Sequence, residues 1–179
     1  MTNEIKVLDK KFKVSIPEEE ILESVKRVAK EMSNDIAGKD PLFLCVLNGA
    51  FMFASDLMKE IDFQCEISFV KLASYVGTET SGKVKQLIGI NEGVEGRTVV
   101  IIEDIVDTGY TMTDIVKQLK NLNPKEIKIA TLLHKPEALK VDLKVDYVGF
   151  AIPNDFILGY GLDYNGRARN LRHIYTVVD

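Results

Sequence analysis

Between residues 17 and 33 the apolar positions recur at helical spacing, with Ile21, Leu22, Val25, Val28, Ala29 and Met32 on one face. The spacing predicts a helix there. Ser15-x-x-Glu18 fits a capping box, and Pro17 followed by three glutamates suits the first turn. The polar stretch 34–40, with Gly38, reads as a loop. Residues 42–47 (LFLCVL) form a short unbroken apolar run that fits a strand buried on both faces. Residues 50–61 read as the next helix and 65–72 as another strand. The stretch 73–86 (ASYVGTETSGKVKQ) is polar and reads as either a hairpin or a long mobile loop. The strongest strand signal is 98–103 (TVVIIE). A helix at 111–122 follows, with Met112, Ile115, Val116 and Leu119 on its apolar face and Pro124 at its stop. Further strands are predicted at 127–133, 147–152 and 173–178.

Strands alternating with helices of this length predict an α/β fold, a mostly parallel twisted sheet flanked by helices. In such sheets ligands lie beyond the carboxyl ends of the strands. The loops to inspect are therefore 47–51, 103–111, 133–137 and 152–163.

Composition narrows the picture. The 179 residues are expected to form one domain, and 46% hydrophobic with 28% charged residues exclude a disordered or fibrous chain. The formal net charge of −4 argues against nucleic-acid or anionic-membrane binding as the main activity. No apolar stretch approaches the ~18 residues of a transmembrane helix, and no secretory leader is read at the N-terminus. Cys45 and Cys65 lie inside apolar runs and read as two buried, reduced, strand-borne thiols of a cytoplasmic protein. His134 and His173 are far apart in sequence, so no zinc site is expected.

Residues 99–111 (VVIIEDIVDTGYT) carry the chemistry. A buried strand ends in Glu103 and Asp104, and Asp107 follows three residues later. Thr108-Gly109-Tyr110-Thr111 then turns into a helix, where backbone N–H groups and hydroxyls converge as a phosphate cradle. Three carboxylates beside a phosphate are reasonable only if they face something else. Sugar hydroxyls and Mg2+ are the natural partners. The string therefore suggests a phosphorylated sugar. A plain acidic turn capping a helix is the competing reading.

The full string resembles the phosphoribosyl diphosphate motif of the type I phosphoribosyltransferases. Leu47-Asn48-Gly49, Ser74-Tyr75, Lys135, and Ile152-Pro153-x-x-Phe156-Ile157-x-Gly159-Tyr160-x-x-Asp163-Tyr164 with Arg169 resemble the hypoxanthine-guanine branch of that family. The likeness runs from about residue 40 to 178. It implies the family's fold, with a small hood lobe built from the N-terminal segment and about 150–179.

The resemblance also implies roles. Asp107, Thr108, Gly109, Tyr110 and Thr111 would hold the 5′-phosphate. Glu103 and Asp104 would meet the ribose hydroxyls and associated Mg2+, and Asp163 would be a second Mg2+ ligand. Asp107 would be the base near N7 of the purine, although its carboxylate could instead cap the helix. Lys135 would donate to O6 of a 6-oxopurine and disfavour adenine; by itself it would read as a surface lysine. Phe156 would stack on the purine, where an ordinary core aromatic is the alternative, and the Ile157 backbone would read the base edge. Arg169 would hold pyrophosphate, with Arg167 and Arg172 near enough in sequence to share that part. Leu47-Asn48 matches the place of a cis peptide whose loop, through Gly49, turns backbone amides to pyrophosphate. Many relatives have Lys or Arg where Asn48 stands, so backbone contact is what carries over. Ser74 and Tyr75 would begin a loop, 74–85, that closes over the reacting sugar.

The implied activity is Mg2+-dependent purine salvage on small-molecule substrates, phosphoribosyl diphosphate and a 6-oxopurine, by a homodimer or homotetramer. Two alternatives stay open. One is an RNA-binding regulator of the same fold, which the net charge and the Lys135, Phe156, Asp163 set disfavour. The other is a transferase preferring xanthine or adenine.

Overall fold

The computed structural model describes residues 4–76, 83–90 and 93–178. The chain opens with β1 (Glu4–Val7), β2 (Lys10–Ile16) and α1 (Glu18–Ile36). It continues through β3 (Leu42–Val46), α2 (Phe51–Glu60), β4 (Glu66–Val76), β5 (Lys83–Ile88), β6 (Thr98–Val106), α3 (Tyr110–Lys120) and β7 (Glu126–His134). The last elements are β8 (Tyr147–Ala151), β9 (Ile157–Leu158) and β10 (Ile174–Val178).

Six strands form the main sheet in the order β5-β4-β3-β6-β7-β8. All neighbours pair in parallel except β5, which is antiparallel to β4 at the edge. The apolar runs of β3 and β6 are unbroken because each serves two cores. Phe43, Cys45, Val100 and Ile102 pack toward α1 and α2, while Leu42, Leu44, Val99 and Ile101 pack toward α3. The order places the ends of β3, β6 and β7 side by side, so the loops that follow them converge on one edge.

A second, antiparallel sheet, β1-β2-β10-β9, is built from both ends of the chain around Phe12, Leu158 and Tyr175. Residues 4–16, for which no strand is predicted from the sequence, supply two of its strands. Their signal was the alternation Phe12, Val14, Ile16 between lysines and Ser15. Tyr160 fastens this sheet's connecting segment to the main body. It is fully buried, and its hydroxyl donates to Asp56 Oδ2 on α2 at 2.5 Å.

Three local expectations are corrected. Cys65 stands just before β4 and is only half-buried, so it is not a buried strand thiol as Cys45 is. The capping box does not form: Ser15 Oγ donates to the Ile174 carbonyl instead, and the Glu18 N–H is capped by His173 Nδ1 at 2.9 Å. Strand pairing with β10 claims the serine. The predicted loop 34–40 begins too early, since α1 runs to Ile36, whose buried side chain continues the Met32 face. The stretch 73–86 supplies two hairpin arms, registered from Lys71↔Ile88 to Val76↔Lys83. Residues 77–82, the centre of the expected mobile loop, lie outside the described residues.

Candidate active site

At its carboxyl end β6 delivers Glu103 and Asp104 onto the ligand edge of the sheet. The Asp104 N–H donates to Glu103 Oε1 at 3.1 Å, and the Ile105 N–H to Asp104 Oδ1 at 2.8 Å. Burial, then the neighbouring Asp104 charge, holds the Glu103 carboxyl well above the usual range. Burial also raises Asp104, opposed by its hydrogen bonds and by the nearby Arg169 guanidinium. Two shielded carboxylates with so little positive charge beside them make a locus that a cation or hydroxyl donors would satisfy.

The backbone next turns at Gly109, whose φ of +84° is left-handed and so suits glycine. A Cβ there would lie 2.5 Å from Val141 Cγ2 and 2.8 Å from Leu139 Cδ1, so the segment after β7 braces the turn. The Thr113 N–H and hydroxyl both bond the Gly109 carbonyl, starting α3. Residues 103–109, 111 and 112 line a cavity of about 280 Å³ at this helix N-terminus. Its walls combine turn amides, threonine hydroxyls and carboxylates, the make-up of a sugar phosphate site. A larger cavity of about 760 Å³ lies between α3 and the start of β7, at the opposite end of the sheet. Volume alone therefore does not locate the chemistry.

Lys135 follows β7, its N–H tied to the Val106 carbonyl at 2.9 Å. The surface-lysine reading fails, since the residue is 7% exposed. Its Nζ donates to the Asp155 carbonyl at 2.9 Å, to Asn154 Oδ1 at 3.3 Å and to Asp107 Oδ2 at 3.4 Å. Phe156 is not a core aromatic; it is 44% exposed, with its ring against Phe12 and Tyr164. Ile157 is buried in β9.

Asp163 and Arg169 meet at 2.6 Å. The other Asp163 oxygen accepts the Gly166 N–H, and Arg169 also donates to the Gly161 carbonyl at 2.7 Å. Arg172 instead pairs with Glu18 at the start of α1. The peptide Leu47–Asn48 is cis. Gly49 behind it is buried against Asp104, and Gly161 sits on the Gly49 carbonyl; a Cβ on either glycine would overlap its neighbour. The loops after β3 and β9 and the carboxyl end of β6 are thus in direct contact. For Ser74 and Tyr75 only the backbone is described, paired with Lys85 and Val84. Among the described residues no three His, Cys, Asp or Glu side chains cluster tightly enough to hold a metal by themselves. Glu103 with Asp104 is one carboxylate locus and Asp163 is another.

Sequence reading missed Asn154 and the Asp155 carbonyl, because an exposed polar turn carries no periodic signal. It also missed the Asp56–Tyr160 bond, which joins distant segments.

Carboxylates beside a glycine turn at a helix N-terminus, on the carboxyl edge of a parallel sheet, fit the phosphoribosyltransferase class, and the phosphoribosyl transferase domain model matches residues 17–165. Among curated relatives, the hypoxanthine-guanine phosphoribosyltransferase of Bacillus subtilis is 45% identical over 163 residues, covering 90% of this chain and 91% of its own. A crystal structure of a hypoxanthine-guanine phosphoribosyltransferase from Bacillus anthracis superposes with a TM-score of 0.83 at 37% identity, covering 98% of this chain and 99% of that one. The bifunctional protein TilS/HprT of Listeria monocytogenes is 44% identical over 163 residues, and the match spans only 25% of its length. The chain belongs to the hypoxanthine-guanine phosphoribosyltransferase family.

Proposed function

We propose that the chain transfers the 5-phosphoribosyl group of 5-phospho-α-D-ribose 1-diphosphate to N9 of hypoxanthine or guanine. The products would be IMP or GMP and pyrophosphate, with inversion at C1′. The observation that carries the reading is the buried Lys135 ammonium, held between Asp107 and the 154–155 turn beside exposed Phe156. That pairing offers a cationic donor for O6 and an aromatic face for the purine ring. The names of the relatives support the same substrates.

In this reading the cradle of residues 107–111 takes the 5′-phosphate, and Asp104 with Glu103 accepts hydrogen bonds from the ribose hydroxyls. Asp107 receives the purine proton at N7 as the new bond forms at N9. The Ile157 backbone meets the base edge. Arg169 and the amides of residues 47–49 receive the pyrophosphate, and Ser74 and Tyr75 cover it. The donor set is all oxygen and suits Mg2+, which usually takes one or two carboxylates and completes its shell with phosphate and water. Mg2+ held by Glu103 and Asp104, and by Asp163, would neutralise the departing diphosphate. Asp163 must then exchange its Arg169 partner for the ion, which frees the guanidinium for pyrophosphate. We propose assembly into a homodimer or homotetramer, supported by exposed Ile67 and Phe69 on one face of β4, and a cytoplasmic location.

The test is release of pyrophosphate and formation of nucleotide from hypoxanthine and the ribose diphosphate, with and without EDTA. Turnover that disappears in the chelator and returns with Mg2+ is expected. Full turnover in EDTA would remove the metal, and no turnover with Mg2+ present would remove the reaction.

A further inference from the structure

We propose that Asn154 is a positioning residue for base selection, holding the Lys135 ammonium in place while Asp107 serves the base. The inference rests on the reading of Lys135 as the donor to O6.

An ammonium has three N–H donors and no acceptor. Lys135 is 7% exposed, so each donor needs a partner inside the site. The structure supplies three: the Asp155 carbonyl, Asn154 Oδ1 and Asp107 Oδ2. The reaction draws Asp107 toward N7, which leaves the N–H it releases for O6. The other two must then stay fixed, and both of their acceptors come from the 154–155 turn. That turn is anchored next to Lys135, because the Ile152 N–H bonds the carbonyl of His134, the last residue of β7, at 2.8 Å.

The chemistry of the two acceptors differs. The Asp155 contribution is backbone and survives any side-chain change. Asn154 Oδ1 is, with Asp107, one of two side-chain acceptors on Lys135 among the described residues. It is also neutral. It therefore fixes direction without cancelling the charge that favours a carbonyl over an amino group at C6. Asn154 is exposed and outside the buried core, so its side chain has little packing role. Without it the ammonium can swing toward the Asp107 carboxylate, 3.4 Å away, and both groups are then misplaced for the base.

The experiment compares wild type, Asn154→Ala and Asn154→Asp in steady state with hypoxanthine and with adenine, at saturating ribose diphosphate and Mg2+. The expected result for Asn154→Ala is a KM for hypoxanthine about fivefold higher, the worth of one ordinary hydrogen bond. Its kcat should stay within about twofold, its preference over adenine should shrink, and its melting temperature should not change. Asn154→Asp keeps an acceptor oxygen and should restore KM for hypoxanthine, while its charge offsets the ammonium and weakens the preference over adenine. Wild-type KM and base preference in Asn154→Ala would overturn the proposal, as would an equal rise in KM in the two variants. A wild-type protein inert toward hypoxanthine would overturn instead the reading of Lys135 beneath it.

Discussion

Replacing Gly49 by alanine tests whether the loop after β3 and the carboxylates near the end of β6 form one site. A Cβ at Gly49 would lie 1.6 Å from Asp104 Oδ2 and 2.5 Å from its Cγ. Ordinary contact begins at 3.4 Å, so Oδ2 must retreat by about 1.8 Å. The carboxylate can do so only by turning away, which gives up the 2.8 Å bond from the Ile105 N–H. A hydrogen bond to a charged group is worth roughly 1.5–3 kcal/mol. For a chain of this size that is a fall of about 3–12 °C in Tm. If Asp104 also holds a ribose hydroxyl, losing that contact lowers kcat/KM by roughly 10- to 150-fold. Initial rates against ribose diphosphate concentration measure this, with circular dichroism to confirm the fold. A double-mutant cycle supplies the decisive comparison. In an Asp104→Ala background there is no carboxylate to displace, and Gly49→Ala should cost less than about threefold. The same loss in both backgrounds, or full activity in the single variant, would show that Gly49 and Asp104 do not act as one site.

Three further outcomes follow from the same geometry. Asp107→Asn should keep ribose diphosphate binding by calorimetry and lower kcat by about 10²- to 10⁴-fold, the usual range for a lost general base; an unchanged kcat would end that role. Glu103 is held above its ordinary value by burial and Asp104, so the folded state keeps its proton after the unfolded chain has lost it. Stability is therefore lost as pH rises above the ordinary carboxyl range. Without Mg2+, Glu103→Gln should match wild type in Tm near pH 4 and exceed it at pH 8; equal values at pH 8 would contradict the shift. Tyr160→Phe removes the buried hydroxyl bonded to Asp56 and should cost about 1–2 kcal/mol in denaturant unfolding, and no change would show that this link to α2 contributes nothing.

The parts of the fold that were legible in the sequence are those with a strong one-dimensional signature. β3 and β6 are apolar throughout because helices cover both faces of the sheet, and α3 shows one clear stripe. The cradle was legible because strand, carboxylates, glycine and helix start are contiguous over 103–111. Residues 4–16 were harder, since β1 and β2 pair with each other and the hairpin joins a sheet only through β10 at the far end of the chain. Ser15 shows why local motifs fail there: a capping residue by spacing is a strand neighbour in space. The Lys135 contacts bring together residues from three loops, and Gly49 against Asp104 is a contact across 55 positions. No spacing rule encodes such meetings; they follow from the order of strands in the sheet.

We propose that this site joins a 6-oxopurine to phosphoribose. The most direct test is a steady-state panel with ribose diphosphate, Mg2+ and, separately, hypoxanthine, guanine, xanthine and adenine. Turnover of hypoxanthine or guanine with adenine inert is expected, because the Lys135 ammonium can donate to O6 and cannot accept from an amino group. Adenine turned over as well as hypoxanthine would contradict the role of Lys135, and no turnover of any purine would contradict the claim as a whole.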